Sequence, residues 1–233
     1  MTEADWDRCT DPAAMLAFLQ QAGRASDRKL RLWACACVRR VWPLLPQGVT
    51  HEAVRLAEEF ADGRATSRDL GRVRKPGRIP FLHPSNFVAL SLAPLLLPDL
   101  SAQATSDMAE AITRFVGWEC RGGRPVEYVI HVEAVQAERQ AQATLLHDLF
   151  GNPFRRPGAL APSLLTPAIL ALARSAYDER HLPEGTLDPR RLAALADALA
   201  AAGCTDAGLL GHLRSAGPHV RGCWALDTVL TKG

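Results

Sequence analysis

Apolar residues recur along this chain at spacings of three and four, the period of an α-helix rather than the alternation of a strand. Thr10-Asp11-Pro12 opens a first helix with a capping residue and an early proline, Met15, Leu16 and Leu19 form its stripe, and Gly23 ends it. Ser26 or Asp27 caps a second, in which Leu30, Trp33, Cys37, Val41 and Leu44 define one buried face. Arg28, Arg31, Arg39 and Arg40 fall largely off that face and are expected in water. Val54, Ala57 and Phe60 mark a third helix stopped by Gly63, and Thr66-Ser-Arg-Asp69 has the form of a capping box with Asp in place of Glu.

Residues 75–84, with three prolines and a glycine, form the clearest loop. They divide the chain into an N-terminal helical subdomain (1–75), a Pro-rich loop (76–84) and a C-terminal helical subdomain (85–233), unless the whole is one continuous domain. A nearly unbroken apolar helix is expected over 85–97, split at Pro94. Met108, Ile112, Phe115 and Val116 face inward on the next helix. Residues 125–150 read as a long helix through Tyr128, His131, Val135, Ala141, Leu145, Leu146 and Leu149, which makes His131 a hydrogen-bonded core histidine. Thr166-Pro167, Asp188-Pro189 and Thr205-Asp206 each start a further helix, and Thr-Asp follows a cysteine at both Cys9 and Cys204. The tail over 218–230 has no clear period and is either helix or extended. The fold class that follows is all-α, an irregular multi-helix bundle of about eight to ten helices.

Composition strengthens this reading. The apolar residues are mostly Ala and Leu, which favour helix, while β-branched and aromatic types are sparse. Twenty-seven basic against 25 acidic residues leave a net charge of +2, which excludes a general nucleic-acid coat and requires any such binding to come from a local patch. The acidic, polar start is no secretory signal, and the longest apolar run falls short of the ~20 residues that span a bilayer. A cytoplasmic protein is therefore expected, with its six cysteines as buried free thiols.

Several blocks are distinctive: Cys9-Thr-Asp-Pro12, Ser26-Asp-Arg-Lys-Leu-Arg31 running into Ala34-Cys-Ala-Cys-Val-Arg-Arg40, and Phe60-Ala-Asp-Gly63. Leu145-Leu-His-Asp-Leu-Phe-Gly-Asn-Pro-Phe-Arg155, Ala202-Gly-Cys-Thr-Asp206 and Gly217-Pro-His-Val-Arg-Gly-Cys-Trp224 follow. Together they resemble a lineage-expanded family of uncharacterised bacterial proteins of the kind abundant in planctomycetes. The resemblance implies relatives and carries no activity.

Candidate chemistry is limited. No P-loop, Rossmann glycine pattern, HExxH or GxSxG is present. Cys204, His212, His219 and Cys223 offer two thiolates and two imidazoles, enough for tetrahedral zinc, at a spacing that matches no standard finger. Cys120 or Cys223 could serve as a nucleophile only with a base such as His219 and a carboxylate, for which His147-Asp148 is available. Arg64, Arg68, Arg72, Arg74, Lys75 and Arg78 stand against the single acid Asp69 and could contact phosphates. Gly151-Asn-Pro-Phe-Arg-Arg-Pro157 has the make-up of a rigid turn presenting Phe154, Arg155 and Arg156, residue types that anchor interfaces.

The expectation is a non-enzymatic helical scaffold or adaptor that binds another protein without a cofactor, through Phe154, Arg155, Arg156 and an exposed tail around His219 and Arg221. The alternatives are a nucleic-acid-associated protein using the Arg64–Arg78 stripe, and a zinc-dependent protein using the Cys204–Cys223 cluster.

Overall fold

The structure is a computed structural model and describes residues 1–45, 48–74, 93–116, 131–155, 158 and 160–232. It is all-α, as the helical period and the Ala/Leu composition require. Eleven α-helices among the described residues are accompanied by a single two-strand hairpin. No described helix is long and apolar enough to cross a membrane.

The chain forms two compact units, one of Met1 with residues 8–144 and one of residues 2–7 with 145–233. The division falls inside a helix, and the Pro-rich stretch 75–84 lies outside the described residues. Side chains from the first 45 residues explain why the first unit extends so far. Trp33 Nε1 donates to Gln142 O at 3.0 Å, Arg31 donates to the carbonyls of Leu95 and Pro98, and Arg40 pairs with Glu138 at 2.9 Å.

In the first unit α3 (Asp27–Arg40) packs against α4 (Val49–Ala61) and α6 (Ala102–Val116), α5 (Ser67–Val73) packs against α4, α2 (Pro12–Gln21) packs against α6, and the start of α7 (Val132–Phe150) meets α3 through Gln142 and Glu138. α3 begins where Ser26 accepts from Lys29 N, and α5 begins with the reciprocal Thr66–Asp69 box. The buried Leu30, Trp33, Cys37 and Val41 carry the expected face. α3, however, is enclosed on more than that face, and this corrects the expectation for its arginines. Arg31 and Arg39 are 1% and 6% exposed. Arg31 lies over the Phe60 ring at 4.9 Å, and burial lowers its pKa. Arg39 meets Glu58 in a two-pronged pair at 2.7 and 3.0 Å and covers the Trp42 ring, which stacks on His51 at 4.0 Å. A second correction concerns His131. It is exposed, because the helix starts after it at Val132.

The second unit comprises α1 (Glu3–Arg8) without its last residue, the end of α7, α8 (Pro167–Asp178), α9 (Pro189–Ala201), α10 (Ala207–Leu213) and α11 (Trp224–Leu230). Thr166, Asp188 and Asp206 accept from backbone amides at the starts of α8, α9 and α10. Leu192, Leu195, Leu199, Leu209, Leu213, Leu226 and Val229 fill the core. The tail resolves as helix from Trp224 onward. Between α8 and α9 lies a hairpin absent from the helical pattern, β1 (Arg180–His181) with β2 (Thr186–Leu187), and β2 also bridges to Val220.

One helix ending recurs three times. After α2, α4 and α9 a left-handed glycine (Gly23, Gly63, Gly203) donates three residues back and the next amide donates five back, the Schellman arrangement. The Asp of the recurring Thr-Asp caps the following helix both times, Asp11 on α2 and Asp206 on α10.

Two expected outcomes follow from the first unit. Removing the carboxylate in Glu58→Gln should cost about 3–5 kcal/mol by chemical denaturation, whereas the apolar pair Arg39→Met/Glu58→Leu should cost much less. His51 Nε2 is buried without a hydrogen-bond partner among the described residues, and burial, then the Arg39 charge, lowers the His51 pKa. The folded state then binds fewer protons than the unfolded chain. Stability is gained as pH rises through the ordinary histidine range and lost as it falls through that range. His51→Phe, which keeps the stack, should flatten this slope in thermal melts between about pH 5 and 7.5. An unchanged slope would assign the dependence to another group.

Candidate metal centre

Four chemically versatile side chains of the second unit converge: Asp148, His212, His219 and Cys223 each place one donor atom within 4.8 Å of the other three. Asp148 comes from the last turn of α7, on the same face as Leu145 and Leu149, and is 3% exposed. His212 comes from the last turn of α10, and its side chain is 20% exposed. His219 and Cys223 flank the turn that leads into α11, and Cys223 occupies the position before its first residue. Both are buried.

The local chain explains this placement. Gly217 takes φ +85°, and a Cβ there would lie 2.7 Å from His219 N, so the turn that brings His219 back requires glycine. Leu187 N donates to His219 O at 2.8 Å, which ties the turn to the hairpin. Trp224 lies against Gly151, whose carbonyl accepts from Trp6 Nε1 at 3.0 Å, and the ring of Trp224 lies 5.0 Å from that of His212.

Asp148 is the hub. Its Oδ1 lies 2.7 Å from His219 Nδ1 and 3.0 Å from His212 Nε2, while Oδ2 accepts from Val220 N at 2.8 Å. His212 Nε2 also lies 3.2 Å from Cys223 Sγ. On the far side of the His219 ring, Nε2 is 3.1 Å from both the hydroxyl and the carbonyl oxygen of Ser215. Burial opposes charge throughout the cluster. It is outweighed at Asp148, where the two imidazole hydrogen bonds and their charges lower the pKa, and at His219, where Asp148 raises it. At Cys223 burial and then the Asp148 charge act together and push the thiol well up.

This geometry does not build a nucleophilic triad. In such a triad one ring nitrogen of the base faces the nucleophile and the other faces the carboxylate. Here Nε2 of His212 faces both the sulfur and the carboxylate oxygen, and the thiol is held protonated. The convergence of O, N, N and S donors is instead an arrangement that could hold a metal ion.

The residues singled out in the sequence fare differently. His212, His219 and Cys223 do come together, but Asp148 and not Cys204 joins them. Cys204 lies in the apolar core at the α9–α10 turn. Asp148 stands 64 residues or more from the others, so no local motif reveals it as a ligand. Its signal is an acid on the apolar face of a helix. The tail is not exposed: His219 and Arg221 are 2% and 7% exposed, with Arg221 against Tyr177 and Asp178. Phe154 is 42% exposed, Arg155 pairs with Glu3 at 2.5 Å, and Arg156 lies outside the described residues. In the basic stripe Arg64 pairs with Asp62 and Arg72 with Asp69, Arg68 and Arg74 are exposed, and Lys75 and Arg78 lie outside the described residues. Cys120 also lies outside them.

No family model matches this chain, and neither a curated protein nor a solved structure matches it.

Because the Cys223 thiol is buried and protonated while Cys9 is partly exposed, iodoacetamide at neutral pH should label Cys9 well before Cys223. Peptide mass spectrometry over a time course measures the order. Preferential labelling of Cys223 would restore a nucleophilic role.

Proposed function

We propose that this chain is a non-enzymatic helical scaffold or adaptor that binds another protein, with the turn after α7 as its contact. One observation carries the reading: an aromatic side chain is held half in solvent on a turn whose backbone is tied down. Asn152 Oδ1 accepts from Phe154 N at 2.9 Å and Asn152 O accepts from Arg155 N at 3.1 Å. Asn152 Nδ2 in turn donates to Glu3 and Asp7 of α1. A preorganised turn loses little entropy on association, and aromatic anchors dominate interface energies. The buried, internally bonded state of Cys223, His219 and Asp148 supports the non-enzymatic part, since these groups hold one another in place of a substrate. A nucleic-acid role has weaker support, because Arg64 and Arg72 already pair with carboxylates.

A photo-crosslinking residue at position 154 tests this in the source cells, with one at the exposed Leu182 as control. A discrete partner should be captured from position 154 alone. The Phe154→Ala chain should bind that partner roughly tenfold or more weakly, the loss typical of an interface anchor. Equal capture from both positions, or unchanged affinity, would remove the assignment.

A further inference from the structure

We propose that Asp148 Oδ1, His212 Nε2, His219 Nδ1 and Cys223 Sγ bind one zinc(II) ion in a closed structural site. This goes beyond the adaptor reading and is independent of it.

The convergence of four donors points to the ion, and hydrogen accounting shows which lone pairs would face it. Ser215 Oγ donates its hydrogen to His212 O at 2.8 Å. Both Ser215 oxygens near His219 Nε2 therefore act as acceptors there, and Nε2 carries the ring hydrogen. A neutral His219 then presents a lone pair at Nδ1, 2.7 Å from a carboxylate oxygen that also has only lone pairs. A proton on Nδ1 joins these atoms in the metal-free state, and a metal cation placed between them takes its role. The cation uses both imidazole lone pairs, the carboxylate and a thiolate, and the His219 Nδ1 and Cys223 protons leave to water as the zinc bonds form. Two anions and two neutral rings around a dication leave no net charge to bury.

The dimensions agree. Zinc bonds of about 2.0–2.3 Å give tetrahedral donor–donor edges of roughly 3.3–3.6 Å. The close pairs stand at 2.7, 3.0 and 3.2 Å and every pair lies within 4.8 Å, so the close pairs open by up to about 0.6 Å and the widest closes by no more than about 1.5 Å, through side-chain rotation. The surrounding bonds are those a zinc site uses to orient its ligands: Val220 N on the second carboxylate oxygen, and Ser215 O on the outer nitrogen of His219. Nitrogen and sulfur donors select zinc over calcium or magnesium, and four protein ligands leave no open position for substrate.

The full chain, stripped of metal and dialysed against zinc, should retain about one zinc per chain by mass spectrometry. X-ray absorption at the zinc edge should show one sulfur at about 2.3 Å with three lighter ligands at about 2.0–2.1 Å. Cobalt(II) should give the visible bands of a tetrahedral ion together with a thiolate charge-transfer band. Cys223→Ser should lose that band, and Cys204→Ser should keep it. Absence of bound zinc in the folded wild-type chain overturns the proposal, and so does a six-coordinate shell without sulfur. Neither of those readings depends on a variant folding. A charge-transfer band that survives Cys223→Ser would overturn the assignment of this sulfur.

Discussion

A carboxylate placed among leucines can stay charged only if its surroundings replace the water it has lost, and the second unit is organised around that requirement. Asp148 lies on the apolar side of α7, and its two oxygens gather an imidazole from α10, an imidazole from the following turn and the amide of Val220. An unpaired buried charge costs several kcal/mol, so these segments are held to their relative positions more strictly than apolar packing alone would hold them. The hairpin, the glycine turn at Gly217 and the docking of Trp224 serve the same end, by fixing the backbone on which His219 and Cys223 stand.

The first unit obeys the same constraint with the opposite sign. Arg31 and Arg39 extend from a helix enclosed on several sides, and each reaches acceptors that neutralise or solvate it: two carbonyls for Arg31, and the Glu58 carboxylate for Arg39. Apolar patterning assigns α3 to the core, and the arginines then determine which neighbours it has. The flexible stem of arginine lets the side chain lie along apolar surface while its head finds oxygen.

This chemistry separates holding from reacting. In the second unit Asp148, His212, His219 and Cys223 contact one another. The carboxylate, two imidazoles and a thiol are arranged around a point rather than in a relay, a difference that only their mutual directions reveal.

By itself the sequence determined the helical class, most helix starts and the apolar faces, because capping and the 3.6-residue period are local and act within a few residues. It also marked His212, His219 and Cys223, which lie within twelve positions of one another. Tertiary structure alone decided the rest. Asp148 replaces Cys204 because a fold joins residues by proximity in space, and a 64-residue separation leaves no periodic trace. Arg31, Arg39 and Arg221 are buried because enclosure depends on which helices surround them, which no single helix face encodes. His131 is exposed because its helix begins one residue later, and the division between units falls within α7 because long-range pairs such as Trp33 with Gln142 tie the first part of that helix to α3.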